Sequence, residues 1–475
     1  LYELTMMQGY FKNNCNETVV FDMFYRSNPC GNGYAICAGL DQLIDYIKRL
    51  EFSDEDIAYL DSLHLFEDDF LEYLRGFHFS GDIYAIPEGT VVFPREPLVK
   101  VVAPIMEAQL VETALLTIIN HQSLIATKTA RVVYAADGGG VMEFGLRRAQ
   151  GPDAGVYGAR AAMIAGCIGT SNVLAGQLFD VPVKGTHAHS WIMSFPDEYT
   201  AFKKYSELYP DACCLLVDTY DTLKSGVPNA IRVFTEMREA GIELKNYGIR
   251  LDSGDLAYLT KRARQMLDEA GFPDAFISAS SDLDEYLITS LKSQGCCIDS
   301  WGVGTNMITS KDCPAFGGVY KLAAVQDGDG NYIPKIKLSE NIEKITNPGN
   351  KTVFRIYEKS DHKIKADLIC LADEVFDESR DLTIFDPLET WKRTKLKAGT
   401  YELRELLIPV FRKGECVYTS PSVMELRDIC AKELDTLWEE HRRLINPSEM
   451  YVDLSDKLYD IKKNLLHQMS MDDDR

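Results

Sequence analysis

The sequence predicts an α/β fold in three regions, and three observations support that reading. From about residue 121 to 325, strand-like runs alternate with amphipathic helices that end in glycine. Residues 1–120 mix helices and strands without that alternation, as an α+β region does. Beyond 325, the turn-rich segment Gln326-Asp327-Gly328-Asp329-Gly330-Asn331 breaks the pattern, and a β-rich stretch over Tyr332–Tyr357 follows. The regions are therefore drawn as 1–120, 121–325 and 326–475.

In the first region, apolar residues at three-and-four spacing predict helices over Asp41–Leu50 and Asp54–Tyr73. Ile86-Pro87-Glu88-Gly89-Thr90 reads as a turn, with short strands at Val91–Phe93 and Leu98–Val102. In the second region, strands are predicted at Cys214–Val217, Tyr247–Leu251, Ala275–Ala279 and Cys297–Trp301. The helix after Leu251 aligns Leu256, Leu259, Ala263, Met266 and Leu267 and stops at Gly271-Phe272-Pro273, a C-terminal signal. The strands recur roughly every 20–35 residues, as parallel βα units require. In that topology chemistry gathers at the carboxyl ends of strands. In the third region, helices are expected from about Ser422 to His441 and from Ser455 to Met469, with a frayed tail over Met471–Arg475.

Composition narrows the function. A chain of 475 residues, 46% hydrophobic and 26% charged, is a soluble globular protein of more than one domain. It has no apolar run of about 18 residues, so no membrane span is expected. It begins Leu1-Tyr2-Glu3-Leu4-Thr5, without a signal segment. It also begins without Met, so a few preceding residues are expected. A net charge of −22 argues against non-specific nucleic-acid binding. An anionic ligand can bind only where local Arg, Lys or helix N-termini reverse the field. Twelve cysteines without a CxxC pattern read as buried reduced thiols of a cytoplasmic protein.

The segment Gly185-Thr186-His187-Ala188-His189-Ser190-Trp191 carries two of the eight histidines, just beyond a predicted strand end at Val181–Lys184. Such a histidine can ligate metal, shuttle protons or accept a phosphoryl group. Metal-dependent barrel hydrolases also carry His-x-His, with further histidines on later strands. No histidine occurs here between 190 and 361, so further zinc ligands have no obvious source, and acid/base or phosphoryl chemistry fits better.

The other strand ends are also polar. Tyr247–Asp255 puts Arg250, Asp252, Ser253 and Asp255 at one of them. Arg250 can hold a carboxylate or phosphate through its fork, and Asp252 or Asp255 can take sugar hydroxyls or Mg²⁺. The plainer alternative is a helix cap beside a surface arginine. Ser280 and Ser281 follow one later strand; Gly302, Gly304 and Thr305 end the next, where glycines let backbone approach a phosphate. Arg147 and Arg148 lie in a Gly/Pro-bounded turn, suggesting an anion, against the alternative of a surface salt-bridged pair. Leu215–Thr222 faintly resembles the acidic loop of type I phosphoribosyltransferases but lacks its adjacent acids, so Asp218 reads as near the site or as a helix cap.

Together these motifs resemble the nicotinate phosphoribosyltransferase family. The likeness runs from Leu1–Met6 through Glu143–Asp153, Gly185–Trp191, Gly248–Asp255 and Trp301–Thr305 to Lys335–Ser339, and is thinner after about 360. The resemblance implies a type II fold: an irregular, incomplete α/β barrel, an N-terminal α/β sandwich domain and a C-terminal accessory domain, assembled as a homodimer with shared active sites. It implies that nicotinate and phosphoribosyl pyrophosphate give nicotinate mononucleotide and pyrophosphate, with Mg²⁺, coupled to ATP hydrolysis in NAD salvage. His189 resembles the histidine that ATP phosphorylates. Thr186, Arg250, Phe144 and a partner's Tyr2 resemble nicotinate contacts, with Arg250 facing the carboxylate. Gly304 and Thr305, with Ser280 and Ser281, resemble the 5′-phosphate site, and Asp252 the acid near the ribose and Mg²⁺. Arg147 and Arg148 are candidates for the pyrophosphate. The nearest rival, nicotinamide phosphoribosyltransferase, would carry an acid after a Gly-Thr pair, where this chain has Gly169-Thr170-Ser171. A quinolinate enzyme would need a denser basic pocket. Rivals of other classes are a metal hydrolase built on His187 and His189, and a metabolite-binding subunit without turnover.

Overall fold

Six short strands form a single all-parallel sheet that bears the polar motifs. The computed structural model describes residues 1–339, 344–387 and 389–472, so residues 473–475 of the expected frayed tail lie outside the described residues. The chain divides into two units, one made of Ile125–Pro314 with Ser422–Arg427, the other of Leu1–Leu124, Ala315–Pro421 and Asp428–Arg475.

The strands of the first unit are β1 Gly140–Glu143, β2 Gly169–Thr170, β3 Cys213–Leu216, β4 Tyr247–Leu251, β5 Phe276–Ala279 and β6 Ser300–Val303. Their spatial order is β2-β1-β6-β5-β4-β3. Leu215, Ile249, Leu251, Ile277, Ala279 and Val303 are fully buried, as expected of parallel strands covered on both faces. The helices Val227–Glu239 and Leu256–Glu269 bury Val233, Phe234, Ala263 and Leu267. Phe234, Tyr247 and Phe272 meet edge to face, locking these connections to β4. Gly271 at φ +80° closes the second helix, as its sequence indicates.

The sheet curls but does not close by ladders alone. Beyond β2, Val183 forms a single parallel bridge to Thr170. The next residues reach β3 through side chains: Thr186 Oγ1 donates to the Cys214 carbonyl at 2.7 Å, and His187 Nε2 accepts from the Leu216 N–H at 3.4 Å. This is the irregular, incomplete barrel that the resemblance implies.

Several boundaries differ from expectation. The last barrel strand is Ser300–Val303, not Cys297–Trp301, because Cys296-Cys297-Ile298 belongs to the connection after Gly295 at φ +71°. The Cys297 N–H is met by Thr260 Oγ1, not by a strand. Asp54–Tyr73 is two helices, Asp54–Ser62 and Asp68–Arg75, interrupted where His64 adopts φ +54°. β1 went unpredicted because Gly140–Glu143 holds only two apolar residues between a glycine and an acid, and β2 because it is two residues long.

The second unit contains a seven-stranded sheet. Its centre pairs Thr18–Tyr25 with Val99–Pro104 on one side and with Gly318–Gln326 on the other, both antiparallel. Val19, Met23, Val99 and Tyr320 share one core with Ile44 and Ile47 from the helix Leu40–Lys48. A four-stranded sheet orders Tyr401–Glu405, Lys351–Glu358, Ile364–Leu371 and Val452–Leu454. Fully buried Arg355 binds Asp367 through two bonds of 2.9 and 2.6 Å and reaches Glu433 at 3.3 Å. Burial and the nearby Asp367 push the Glu96 carboxyl well above the usual carboxyl range. None of the twelve cysteines forms a disulfide. No helix among the described residues is long and apolar enough to cross a membrane.

Removing Asp367 would leave a buried guanidinium without its main partner. Asp367→Ala is therefore expected to destabilise the chain by about 3–5 kcal/mol, read as a lower urea unfolding midpoint.

Candidate active site

The carboxyl ends of the parallel strands surround a cavity of about 550 Å³ within the barrel unit. Each strand contributes the residues that follow it. β1 leads to Phe144, Arg147 and Arg148; β4 supplies Arg250 and Asp252; β5 leads to Ser280 and Ser281; β6 supplies Gly302 and leads to Gly304 and Thr305. The bridging segment after β2 adds Thr186. These sequence-predicted residues, far apart in the chain, thus face one space.

Close packing sets the ring position. A Cβ on Gly302 would lie 2.6 Å from the Phe144 ring, so the ring rests against bare backbone of β6. Behind it, fully buried Glu143 accepts from the Gly145 N–H and from Thr170 Oγ1 (2.6 Å), tying the loop to β2. Burial raises the Glu143 carboxyl above its ordinary value. Ser281 holds φ +132°, a strained conformation for a non-glycine residue and one that clusters at functional sites.

The charges are arranged for an anion. Arg250 is mostly buried, yet its Nε has no hydrogen-bond partner, Nη1 reaches the His187 carbonyl only at 3.5 Å, and Nη2 lies 3.8 Å from Asp252. A guanidinium this poorly satisfied is poised for a carboxylate or phosphate fork. Arg147 and Arg148 are exposed on the cavity wall and form no ion pair among the described residues. Asp252 accepts from Ser280 Oγ at 2.5 Å.

The two histidines of the His-x-His segment face different partners. His187 is buried, with its ring 4.6 Å from that of Tyr205, and burial together with nearby Arg250 lowers it to about 4. It is neutral at physiological pH. His189 opens the short helix His189–Met193 and is partly exposed. Its Nδ1 lies 3.0 Å from Thr219 Oγ1, while Nε2 faces Asp252 at 3.9 Å and Asp218 at 4.0 Å.

Thr219 was not singled out from the sequence, whereas Asp218 was read as near the site or as a helix cap. Asp218 Oδ2 accepts from the Asp252 N–H (2.8 Å) and Ser253 Oγ (2.6 Å), while its buried Oδ1 has no partner. The signal was present in sequence, since Asp218 follows β3 as Asp252 follows β4. Asp255 instead caps the helix Leu256–Glu269, accepting from the Tyr258 N–H at 3.0 Å. Tyr2 lies in the other unit, half exposed at the start of the helix Tyr2–Lys12.

Residues 1–120 match the family model described as the nicotinate phosphoribosyltransferase N-terminal domain, residues 140–310 the nicotinate phosphoribosyltransferase family, and residues 350–462 its C-terminal domain. The chain is 48% identical to the nicotinate phosphoribosyltransferase of Bacillus subtilis, over 99% of this chain and 94% of that protein. The chain belongs to the nicotinate phosphoribosyltransferase family. It is 39% identical to the Mycobacterium tuberculosis nicotinate phosphoribosyltransferase pncB2, covering 98% of this chain and 93% of that one. The crystal structure of human nicotinic acid phosphoribosyltransferase superposes with a TM-score of 0.85 at 29% identity, covering 98% of this chain and 99% of that one. The family and fold expected from the motifs are thereby borne out.

The low value of His187 makes stability pH-dependent. An unfolded histidine titrates near 6.5, so below that pH the unfolded chain binds a proton that the folded chain refuses. This contribution is intact above about pH 6.5 and is lost as pH falls toward 4, up to about 3 kcal/mol. Urea midpoints measured at pH 7.5 and 4.5 are expected to differ less in His187→Gln than in the parent chain.

Proposed function

We propose that this chain joins nicotinate to the anomeric carbon of phosphoribosyl pyrophosphate, releasing pyrophosphate, and that ATP drives the reaction through a phosphoryl group on His189. The observation that supports this best is Arg250, a poorly satisfied guanidinium that lines one cavity with Phe144, Thr186 and the glycine and hydroxyl residues proposed for phosphate. Phe144 offers a face for the pyridine ring, Thr186 a hydroxyl at its edge, and Arg250 the carboxylate partner. Ser171 lines the same cavity where an amide-using relative was expected to carry an acid, which favours the charged substrate over nicotinamide.

The chemistry asks for positioning. The pyridine nitrogen is already nucleophilic, so the enzyme must hold it in line with the anomeric carbon. As the C–O bond to pyrophosphate breaks and the C–N bond forms, positive charge develops on the ribose. Asp252, itself oriented by Ser280, would offset that charge. Ser280, Ser281, Gly302, Gly304 and Thr305 would hold the 5′-phosphate. Arg147 and Arg148 would take the leaving pyrophosphate.

The residues present fit Mg²⁺. Asp218 Oδ1, buried without a partner, and Asp252 are hard oxygen donors near one another, and Mg²⁺ is held by one or two carboxylates completed by water and substrate phosphates. When bound there, the ion would neutralise charge on the departing pyrophosphate. Asp255, with one oxygen committed to its helix cap, is the weaker candidate ligand.

For ATP coupling, His189 is tethered through Nδ1 to Thr219, which leaves Nε2 to attack the γ-phosphorus while ADP departs. Water later hydrolyses the phosphohistidine to phosphate. A phosphoryl group there adds about two negative charges beside Asp218 and Asp252, so it alters how strongly the site holds Mg²⁺ and pyrophosphate. In the family's shared-site dimer, a partner's Tyr2 would stack on the free face of the pyridine.

The testing assay is pyrophosphate release from phosphoribosyl pyrophosphate and Mg²⁺ with nicotinate, nicotinamide or quinolinate, each with and without ATP. Release with nicotinate, increased by ATP, is expected; release with nicotinamide alone would refute the substrate. His189→Ala should abolish ATP hydrolysis while retaining slow ATP-independent transfer, and full coupling in that variant would refute the phosphohistidine. Arg250→Ala is expected to weaken nicotinate by about 2–5 kcal/mol, visible as a raised KM.

A further inference from the structure

We propose that the unit containing both chain termini holds a second anion site, for one small tetrahedral oxyanion such as orthophosphate, formed by Arg95, Lys351 and Lys462. The three cations line a narrow cavity together with Thr346 and Asn347, bounded by the apolar side chains of Phe24, Ile369 and Leu454. One carboxylate, Asp22, also lines it, and that group is already engaged by Lys351 at 2.7 Å. The Arg95 guanidinium makes no ion pair or hydrogen bond among the described residues. Lys462 bonds only to a neutral acceptor, Asn347 Oδ1 at 2.8 Å, which leaves the Asn347 NH₂ group as a further donor. Two positive charges are therefore left without counter-charge in a confined space.

Burial and the nearby Arg95 and Lys351 push the Lys462 ammonium down to about 8. Like charges are held together here at a cost that an anion between them would relieve. Lysine and arginine donors with a hydroxyl and an amide match the acceptor oxygens of phosphate or sulfate. The narrow walls leave no room for a nucleoside, so the occupant is a free oxyanion and not the phosphate of a nucleotide. It would join the helix Asp456–Asp472, through Lys462, to the strand Lys351–Glu358, through Lys351, and to the Arg95 turn. The site shares no lining residue with the barrel cavity and does not depend on the proposed reaction.

The test is equilibrium dialysis of the full chain with labelled orthophosphate at constant ionic strength. Saturating phosphoribosyl pyrophosphate and Mg²⁺ are present without nicotinate, so that the barrel cavity is filled. One orthophosphate per chain is expected to remain bound, displaced by sulfate but not by AMP. Lys462→Met should weaken it at least tenfold, Lys462→Arg should retain it, and both variants should keep the parent rate of pyrophosphate release. No residual binding, equal binding in Lys462→Met, or displacement by AMP as readily as by sulfate would overturn the proposal. If the barrel cavity does not take phosphoribosyl pyrophosphate, more orthophosphate binds in total. The difference of one between the parent chain and Lys462→Met remains.

Discussion

The segment Val183–His187 is the constraint on which the rest of the site depends. It stands where a barrel strand would complete the ring, but it pairs by one bridge with β2 and reaches β3 only through the Thr186 hydroxyl and the His187 ring. A full ladder would draw backbone against β3. Side-chain bonds keep the segment further off, which leaves space for Arg250 and presents the His187 carbonyl to it. His187 must then be neutral, because a charged ring would need solvation it cannot obtain and would face a guanidinium. From there the chain passes into the short helix headed by His189, which Thr219 catches from beyond β3. One histidine thus holds the barrel together while its neighbour is left open to chemistry.

The electrostatics of the site reverse those of the chain. The protein carries a net charge of −22, yet the cavity wall presents Arg147, Arg148 and Arg250 against Asp252 and Asp282. In a partly enclosed space these few charges count for more than many solvated ones, because interactions weaken with dielectric and with salt. The acids have their own order: Asp218 positions the backbone of Asp252, and Ser280 orients the Asp252 side chain. This chain of bonds holds the Asp252 carboxylate 3.8 Å from the Arg250 guanidinium.

Much of the fold was legible because its signals are local. The apolar runs of β3, β4 and β5 and the glycine at the end of Leu256–Glu269 are readable from a few neighbouring residues. β1 was not, because Gly140–Glu143 holds only two apolar residues between a glycine and an acid, and β2 was not, being two residues long. Cys297 looked like strand because Cys296-Cys297-Ile298 is apolar in sequence, but its N–H meets the Thr260 hydroxyl and not a ladder. The polar strand ends were legible as candidates because parallel topology sends them all to one rim.

Sequence alone determined which residues are candidates for the chemistry and, through short-range patterning, that they lie at strand ends of an α/β chain. Tertiary structure decided which of them act in concert. That Asp218 orders the rim, and that His187 is buried while His189 is open, depends on contacts between residues about 30 positions apart. Such contacts leave no periodic trace in the chain, because each is set by a single meeting of two strands.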